Sequence, residues 1–257
     1  MLGNGDIVLL KKNEREFLVS ISEGELHTDL GVIKLSELKG RNYGEKIATH
    51  LGHGFLIAQP RVFDFFSKLR RAGAPMLPKD IGVILAYTGI SPSDKVLDAG
   101  TGSGILAIFL GNIVRSGKVI SYEKNIEFVK IARENISIAG LGNVEVRQGD
   151  IFEEIEKIEE QFDVVTLDLE NAHRLISKLR RVLKPGGYVA AYSPYFEHTK
   201  QIRMALEREN YSGIRTIEVI EREIEFGEKG TRPSTRVGHS GYITIARLFE
   251  SLEQFFS

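Results

Sequence analysis

The stretch Val96-Leu97-Asp98-Ala99-Gly100-Thr101-Gly102-Ser103-Gly104 constrains this chain more than any other. An apolar run ends in a glycine-rich turn, and a further apolar segment, Ile105 to Arg115, follows it. That order reads as buried strand, tight loop and helix. Glycines at alternate positions remove side chains where a ligand must lie against backbone N–H groups at a helix N-terminus. About 20 residues on, Val119-Ile120-Ser121-Tyr122-Glu123 reads as a second strand ending in an acid, where nucleotide-binding α/β folds hold a ribose hydroxyl. The set implies a nucleoside-containing cofactor.

Glycine spacing bears on which nucleoside. Dinucleotide sites favour G-x-G-x-x-G, with the pyrophosphate on the helix N-terminus. Here the pattern is G-x-G-x-G, with Asp98 two residues ahead of it. A carboxylate is a poor neighbour for pyrophosphate and suits the cationic sulfonium and ammonium of S-adenosylmethionine. The backbone of Gly100, Thr101, Gly102, Ser103 and Gly104 is expected along the methionyl part of that cofactor. Glu123 is expected to accept from both ribose hydroxyls. Asp150 is expected to take the adenine amine, with Ile151 and Lys124 packing on the ring. The plainer alternatives are a solvated strand end for Glu123 and a turn cap after Gln148-Gly149 for Asp150.

From Lys95 onward strand-like and helix-like segments alternate. Strands are expected at Lys95–Asp98, Lys118–Glu123, Val144–Arg147, Phe162–Leu169 and Tyr188–Ser193, with helices at Glu127–Ala139 and Ala172–Leu183. Alternation of this kind implies a mostly parallel sheet covered by helices on both faces. The segments Ile214–Ile224 and Gly241–Arg247 read as two long strands with no helix between them, an antiparallel pair closing the sheet. Residues 1 to 60 differ. Short strand-like runs, Ile7–Leu10, Glu16–Ser20 and Val32–Leu35, are separated by turn residues and predict a small β-barrel or β-sandwich. The expected division is a small β domain over 1–60, with an RNA-binding or positioning role, and an α/β domain over 61–257. Helices are expected from Val62 to Ala72 and from Ile81 to about Tyr87.

The 257 residues carry a net charge of −1 and no cysteine. Disulfides, thiolate metal sites and a cysteine nucleophile are therefore excluded. His50 and His53, without an acidic pair nearby, do not make a metal site, and none is expected. No apolar run approaches the roughly 18 residues of a membrane helix, and the start of the chain lacks a signal-peptide pattern, so the expected setting is cytoplasmic with no membrane partner. Any nucleic-acid contact must rest on local basic patches. The candidates are Lys68-Leu69-Arg70-Arg71, Lys178-Leu179-Arg180-Arg181 and the segment from Arg232 to Arg236.

The layout from about 75 to 247 resembles the class I S-adenosylmethionine-dependent methyltransferases, a seven-stranded, mostly parallel, doubly wound sheet with a reversed last strand. Lys184-Pro185-Gly186-Gly187 and Leu167-Asp168-Leu169 match further motifs of that class. Pro78-Lys79-Asp80, Ser121-Tyr122-Glu123 and Gly238-His239-Ser240-Gly241-Tyr242, with the β module in front, are similar to a narrower family, the TrmI-type tRNA (adenine-N1) methyltransferases, most of all its archaeal members. The resemblance implies methyl transfer to N1 of an adenine in the tRNA T-loop and assembly as a homotetramer. It also implies backbone contacts from Met76 and Leu77 to the methionyl end of the cofactor. Two positions depart from the family. The family continues its motif-four Asp as Asp-Leu-Pro-x-Pro, whereas Leu169-Glu170-Asn171-Ala172-His173 holds no proline; and Leu77 stands where the family carries an aromatic residue or His.

Asp168 ends a strand at the sheet edge where open α/β folds place their ligands. Adenine N1 is already a lone-pair nucleophile, and methylation places positive charge on the ring. A carboxylate accepting from the exocyclic amine orients the base and stabilises that charge. Resemblance and chemistry together assign this role to Asp168. His53, Tyr195 and His239 are candidate substrate-lining residues. Three other readings stay open: a nicotinamide-dependent oxidoreductase, a non-catalytic RNA-binding subunit on a methyltransferase fold, and a methyltransferase for another RNA, a protein or a small molecule.

Overall fold

The structure, a computed structural model, describes residues 1–228, 230–235 and 238–249. Arg236, part of one candidate basic patch, lies outside the described residues. The chain divides into two compact units, one of Met1–Arg71 with Glu134–Leu141, the other of Ala72–Arg133 with Gly142–Ser257.

The first unit carries β1 (Ile7–Lys12), β2 (Arg15–Ser20), β3 (Glu25–Thr28), β4 (Gly31–Lys34), β5 (Lys46–Ala48), β6 (Gly54–Ala58) and α1 (Val62–Lys68). The strands form a four-stranded sheet, β2-β1-β6-β5, and a separate pair, β3-β4. All pairings are antiparallel. One apolar cluster, including Val8, Leu10, Ile33, Ile47, Phe55 and Ile57, fills its core. The expected barrel or sandwich thus takes the form of one sheet with an accessory hairpin. Three of its strands, β3, β5 and β6, were not anticipated. Two of them are only three or four residues long and mix apolar with charged side chains.

The second unit begins with α2 (Pro78–Thr88) and continues β7 (Lys95–Ala99), α3 (Ile105–Ile113), β8 (Lys118–Glu123), α4 (Ile126–Ile138), β9 (Val144–Gln148), α5 (Ile151–Glu154), β10 (Phe162–Leu167), α6 (Ile176–Val182) and β11 (Leu183–Ser193). After it come α7 (Phe196–Arg208), β12 (Ser212–Glu218), the hairpin β13 (Ile224–Gly227) and β14 (Gly230–Pro233), and β15 (Tyr242–Arg247). Seven strands form one sheet in the order β12-β15-β11-β10-β7-β8-β9. Strands β7 to β11 pair in parallel, and β15 runs antiparallel to both β11 and β12. Strands β7, β8 and β10 are buried almost without interruption, as a parallel sheet covered on both faces requires. This is the expected doubly wound sheet with a reversed last strand.

Two local differences have physical causes. Helix α7 was not anticipated: its sequence is polar, and only Thr199, Ile202 and Leu206 are buried. Lys184-Pro185-Gly186-Gly187 lies inside β11 rather than ahead of it. Phe162 pairs with Leu183 but Val164 pairs with Tyr188, so the four residues form a bulge. The Lys184 ammonium ties it to the Asp163 carboxylate at 2.7 Å. Among the described residues no helix is long and apolar enough to cross a membrane, and no cluster of His, Asp and Glu could hold a metal ion.

Candidate active site

The carboxyl ends of β7, β8, β9 and β10 open into one cleft of about 510 Å³. The glycine loop forms its floor, and each glycine meets a different demand. Gly100, at φ 93°, lies so close to the end of β10 that a Cβ there would sit 2.0 Å from the Asp168 carbonyl oxygen. Gly102, at φ 54°, faces the cleft, and its N–H donates to Glu123 Oε2 at 3.0 Å. Gly104, at φ 82°, starts α3, and a Cβ would press on Ala132 at 3.3 Å. The third glycine therefore serves helix packing, and neither it nor Ser103 nor Thr101 lines the cleft.

Glu123 is buried at the end of β8 and lines the cleft. Each carboxylate oxygen accepts one backbone N–H, Oε2 from Gly102 and Oε1 from Asn125 at 2.9 Å. Each therefore keeps a lone pair, the requirement for holding two vicinal hydroxyls. Asp150 does two things at once. One oxygen caps α5 by accepting from the Phe152 N–H at 3.0 Å, and the residue lines the cleft. Apolar walls come from Tyr122, Phe128, Ile151, Phe152 and Leu169, with Lys124 beside them. A flat aromatic ligand fits such walls.

Asp168 follows β10, and its N–H donates to the Ala99 carbonyl at 2.8 Å. It lines the same cleft. Burial, followed by repulsion from Asp98 and Glu123, pushes its carboxyl up to about 7. Three carboxylates at one end of a sheet make a site that favours a cation.

Asp98, expected near the cofactor's cationic centre, is buried, and its side chain is not among those that line the cleft. Its oxygens accept from Ser121 Oγ at 2.5 Å and Thr166 Oγ1 at 2.6 Å, and Thr101 Oγ1 lies 2.5 Å from Ser121 Oγ. The side chain joins three strands and the loop, and it acts on the cleft through its field. Met76 is buried and Leu77 is the N-cap of α2; neither lines the cleft, where Ala72, Gly73 and Ala74 stand instead. His53 belongs to the other unit. Tyr195 is exposed beside His198, and His239 bridges Glu218 and Pro194; neither lines this cleft.

Residues 90–232 match the family model described as a methyltransferase domain. The tRNA (adenine(57)-N(1)/adenine(58)-N(1))-methyltransferase TrmI of Methanocaldococcus jannaschii is 37% identical, over 95% of this chain and 92% of that protein. The chain belongs to the TrmI family. The tRNA (adenine(58)-N(1))-methyltransferase TrmI of Thermus thermophilus is 29% identical over 96% of this chain and 98% of its own. Among solved structures, a Thermotoga maritima protein titled an S-adenosylmethionine-dependent O-methyltransferase superposes with a TM-score of 0.82 at 31% identity, covering 97% of this chain and 95% of that one. The Aquifex aeolicus TrmI structure, at 23% identity and a TM-score of 0.75, shares the fold over 97% of this chain and 99% of its own.

Two motifs that carried the TrmI resemblance meet in space, which sequence reasoning did not foresee. The Lys79 ammonium bonds the Asp80 carboxylate at 2.9 Å, the Val219 carbonyl at 2.7 Å and Ser240 Oγ. Ser240 Oγ in turn donates to the other Asp80 oxygen at 2.8 Å. Asp80 is fully buried, so this pair is closed by hydrogen bonds on both sides. The Tyr192 hydroxyl donates to the Ser240 carbonyl at 2.6 Å. Burial, with the nearby charges of Asp168 and Asp80, pushes that phenol up to about 12. The only sequence signal for this cluster was an opposite charge pair and a serine in two short motifs far apart in the chain. Glu170 and Asn171, where the TrmI family has its proline run, also line the cleft, and Asn171 adopts φ 58°.

Proposed function

We propose that this chain transfers a methyl group from S-adenosylmethionine to N1 of adenine in tRNA. The T-loop adenines 57 and 58, named for the Methanocaldococcus relative, are its targets. One observation carries the reading: Gly100, Gly102, Glu123, Asp150 and Asp168 line a single cleft at the carboxyl edge of the sheet.

The cleft fits the cofactor. A Cβ on Gly100 would collide with backbone, so the floor admits no side chain there. Glu123 retains lone pairs for the ribose hydroxyls, Asp150 takes the adenine amine, and Ile151 packs on the ring with Lys124 beside it. When bound, S-adenosylmethionine supplies an electrophilic methyl group. The chain's own residues do the rest. Asp168 accepts a hydrogen bond from the exocyclic amine of the target adenine and so fixes N1 in line. Its charge stabilises the positive ring that methylation creates, and the carboxylate is placed to take a proton afterwards. The base leaves its stack to enter the cleft, at a cost of a few kcal/mol. In this reading the N-terminal β unit contacts the RNA and the protein acts as a cytoplasmic homotetramer; the edge strand β12 and the exposed hairpin β13–β14 are available for assembly.

The test is incubation with methyl-labelled S-adenosylmethionine and unmodified tRNA, followed by digestion to nucleosides. Label in 1-methyladenosine is the expected result. A second reading, a different substrate, is favoured by Glu170 and Ala172 in place of the prolines; label in another nucleoside or in protein would establish it and overturn the first.

A further inference from the structure

A second groove lies beside the cleft, with a volume of about 310 Å³. One wall is His173, Arg174 and Ser177, on the turn leading into α6 and on α6 itself. The other is one face of α7, with Gln201, Met204 and Arg208 spaced at three to four residues. Arg174, Ser177, Gln201 and Arg208 are all exposed. Several guanidiniums carry an acid partner: Arg147 with Glu145, Arg181 with Glu156, Arg203 with Glu207 and Arg232 with Glu225. Arg174 and Arg208 have no such acid. Glu209 also stands at the groove; its backbone N–H donates to the Ala205 carbonyl at 3.0 Å and its own carbonyl accepts from Arg180 at 2.7 Å. Positive charge at Arg174 and His198, after burial, holds the His173 imidazole below its usual range.

The groove is tied to the cleft in two ways. The chain runs directly from Asp168–Asn171, in the cleft, to Arg174. The Arg174 guanidinium also lies 5.6 Å from the centre of the Phe152 ring, which walls the cleft. The chain as a whole has a net charge of −1, so affinity for a polyanion must come from unpaired cations near the site. Two guanidinium forks with an amide and a hydroxyl lining the same groove match the oxygens of a phosphodiester.

We propose that the groove formed by Arg174, Ser177, Gln201 and Arg208 binds backbone phosphates of the RNA strand whose base enters the cleft. This rests on the reading of the cleft as a tRNA methyltransferase site. Asp168 selects the base and this groove holds the strand, so the two contribute to different measurable quantities.

The experiment measures binding of an unmodified tRNA transcript to the full-length protein across a salt series. The variants are Arg174→Ala, Arg208→Ala, the double variant, and Arg181→Ala as a charge control on the ion-paired face of α6. Each groove arginine is expected to account for about one unit of the slope of log affinity against log salt, and the double variant to bind about tenfold more weakly at low salt. Arg208→Ala keeps its cofactor affinity within about twofold, because base and phosphate contacts are separate. Unchanged slope and affinity in the double variant overturn the proposal, as does an equal loss in Arg181→Ala. Inorganic phosphate, added alone as competitor, separates a strand site from a small-anion site. Phosphate binding that the double variant abolishes, with tRNA binding intact, also overturns it. If the unmodified protein binds no tRNA, the methyltransferase reading itself fails; if it binds and methylates tRNA while the variants match it, only the groove assignment fails.

Discussion

In the proposed reaction Asp168 carries the chemistry, and its surroundings make it costly to keep ionised. Its carboxyl is raised to about 7 by burial and by Asp98 and Glu123. An unfolded aspartate titrates near 3.9. Between those pH values the folded protein holds more protons than the unfolded one, so stability falls as pH rises from about 4 to about 7 and the deficit persists above that. Asp168→Asn removes the deficit. At pH 8 the variant is expected to melt higher than the unmodified protein, by ~2–4 °C for each kcal/mol recovered, and to lose methyl transfer. Calorimetry at pH 8 and pH 5 checks it: the gain should shrink at the lower pH, and an equal gain at both would contradict the assignment. That Asp168 and Glu123 lie at the carboxyl edge of the sheet was legible in the sequence because each ends an apolar, strand-like run. The placement of Asp98 was not. Which way a buried side chain turns depends on Ser121 and Thr166, on neighbouring strands, and no local pattern announces them.

Among the elements, the glycine loop makes the sharpest demand. Gly100 combines a left-handed φ with an approach that leaves 2.0 Å between a Cβ and a backbone oxygen, so neither side can yield cheaply. Gly100→Ala is expected to separate the ends of β7 and β10 and to weaken cofactor binding more than tenfold, with a loss of stability of about 1–3 kcal/mol. Gly102→Ala, with 3.9 Å to its nearest neighbour, carries the strained φ without the collision and is expected to be milder in stability. Isothermal titration and denaturant melts of the two variants decide the order. Strong periodicity made the interior strands and α3 readable. Helix α7 was missed because its three buried positions are too few to stand out. The backbone contacts expected of Met76 and Leu77 came from resemblance alone, and Ala72, Gly73 and Ala74 are the nearby residues that line the cleft.

For the whole molecule, the mostly parallel sheet and the cleft at its carboxyl edge followed from alternating elements and one loop, while the strand order did not. The meeting of Lys79 and Asp80 with Ser240 did not, since it depends on the chain returning through β12 and β15. A ligand that binds only the folded state stabilises it by about 2.7 kcal/mol at a hundredfold excess over its dissociation constant. S-adenosylmethionine is therefore expected to raise the melting temperature and NAD to leave it unchanged; a shift with NAD alone would restore the oxidoreductase reading. In the proposed mechanism the Asp168 carboxylate orients and stabilises the target adenine in the cofactor cleft. Its most direct test is single-turnover methyl transfer to unmodified tRNA by the unmodified protein and by Asp168→Ala, with cofactor binding measured on the same preparations. The rate of 1-methyladenosine formation is expected to fall on the order of 10²–10³-fold in a variant that still binds cofactor; an unchanged rate would exclude this role for Asp168.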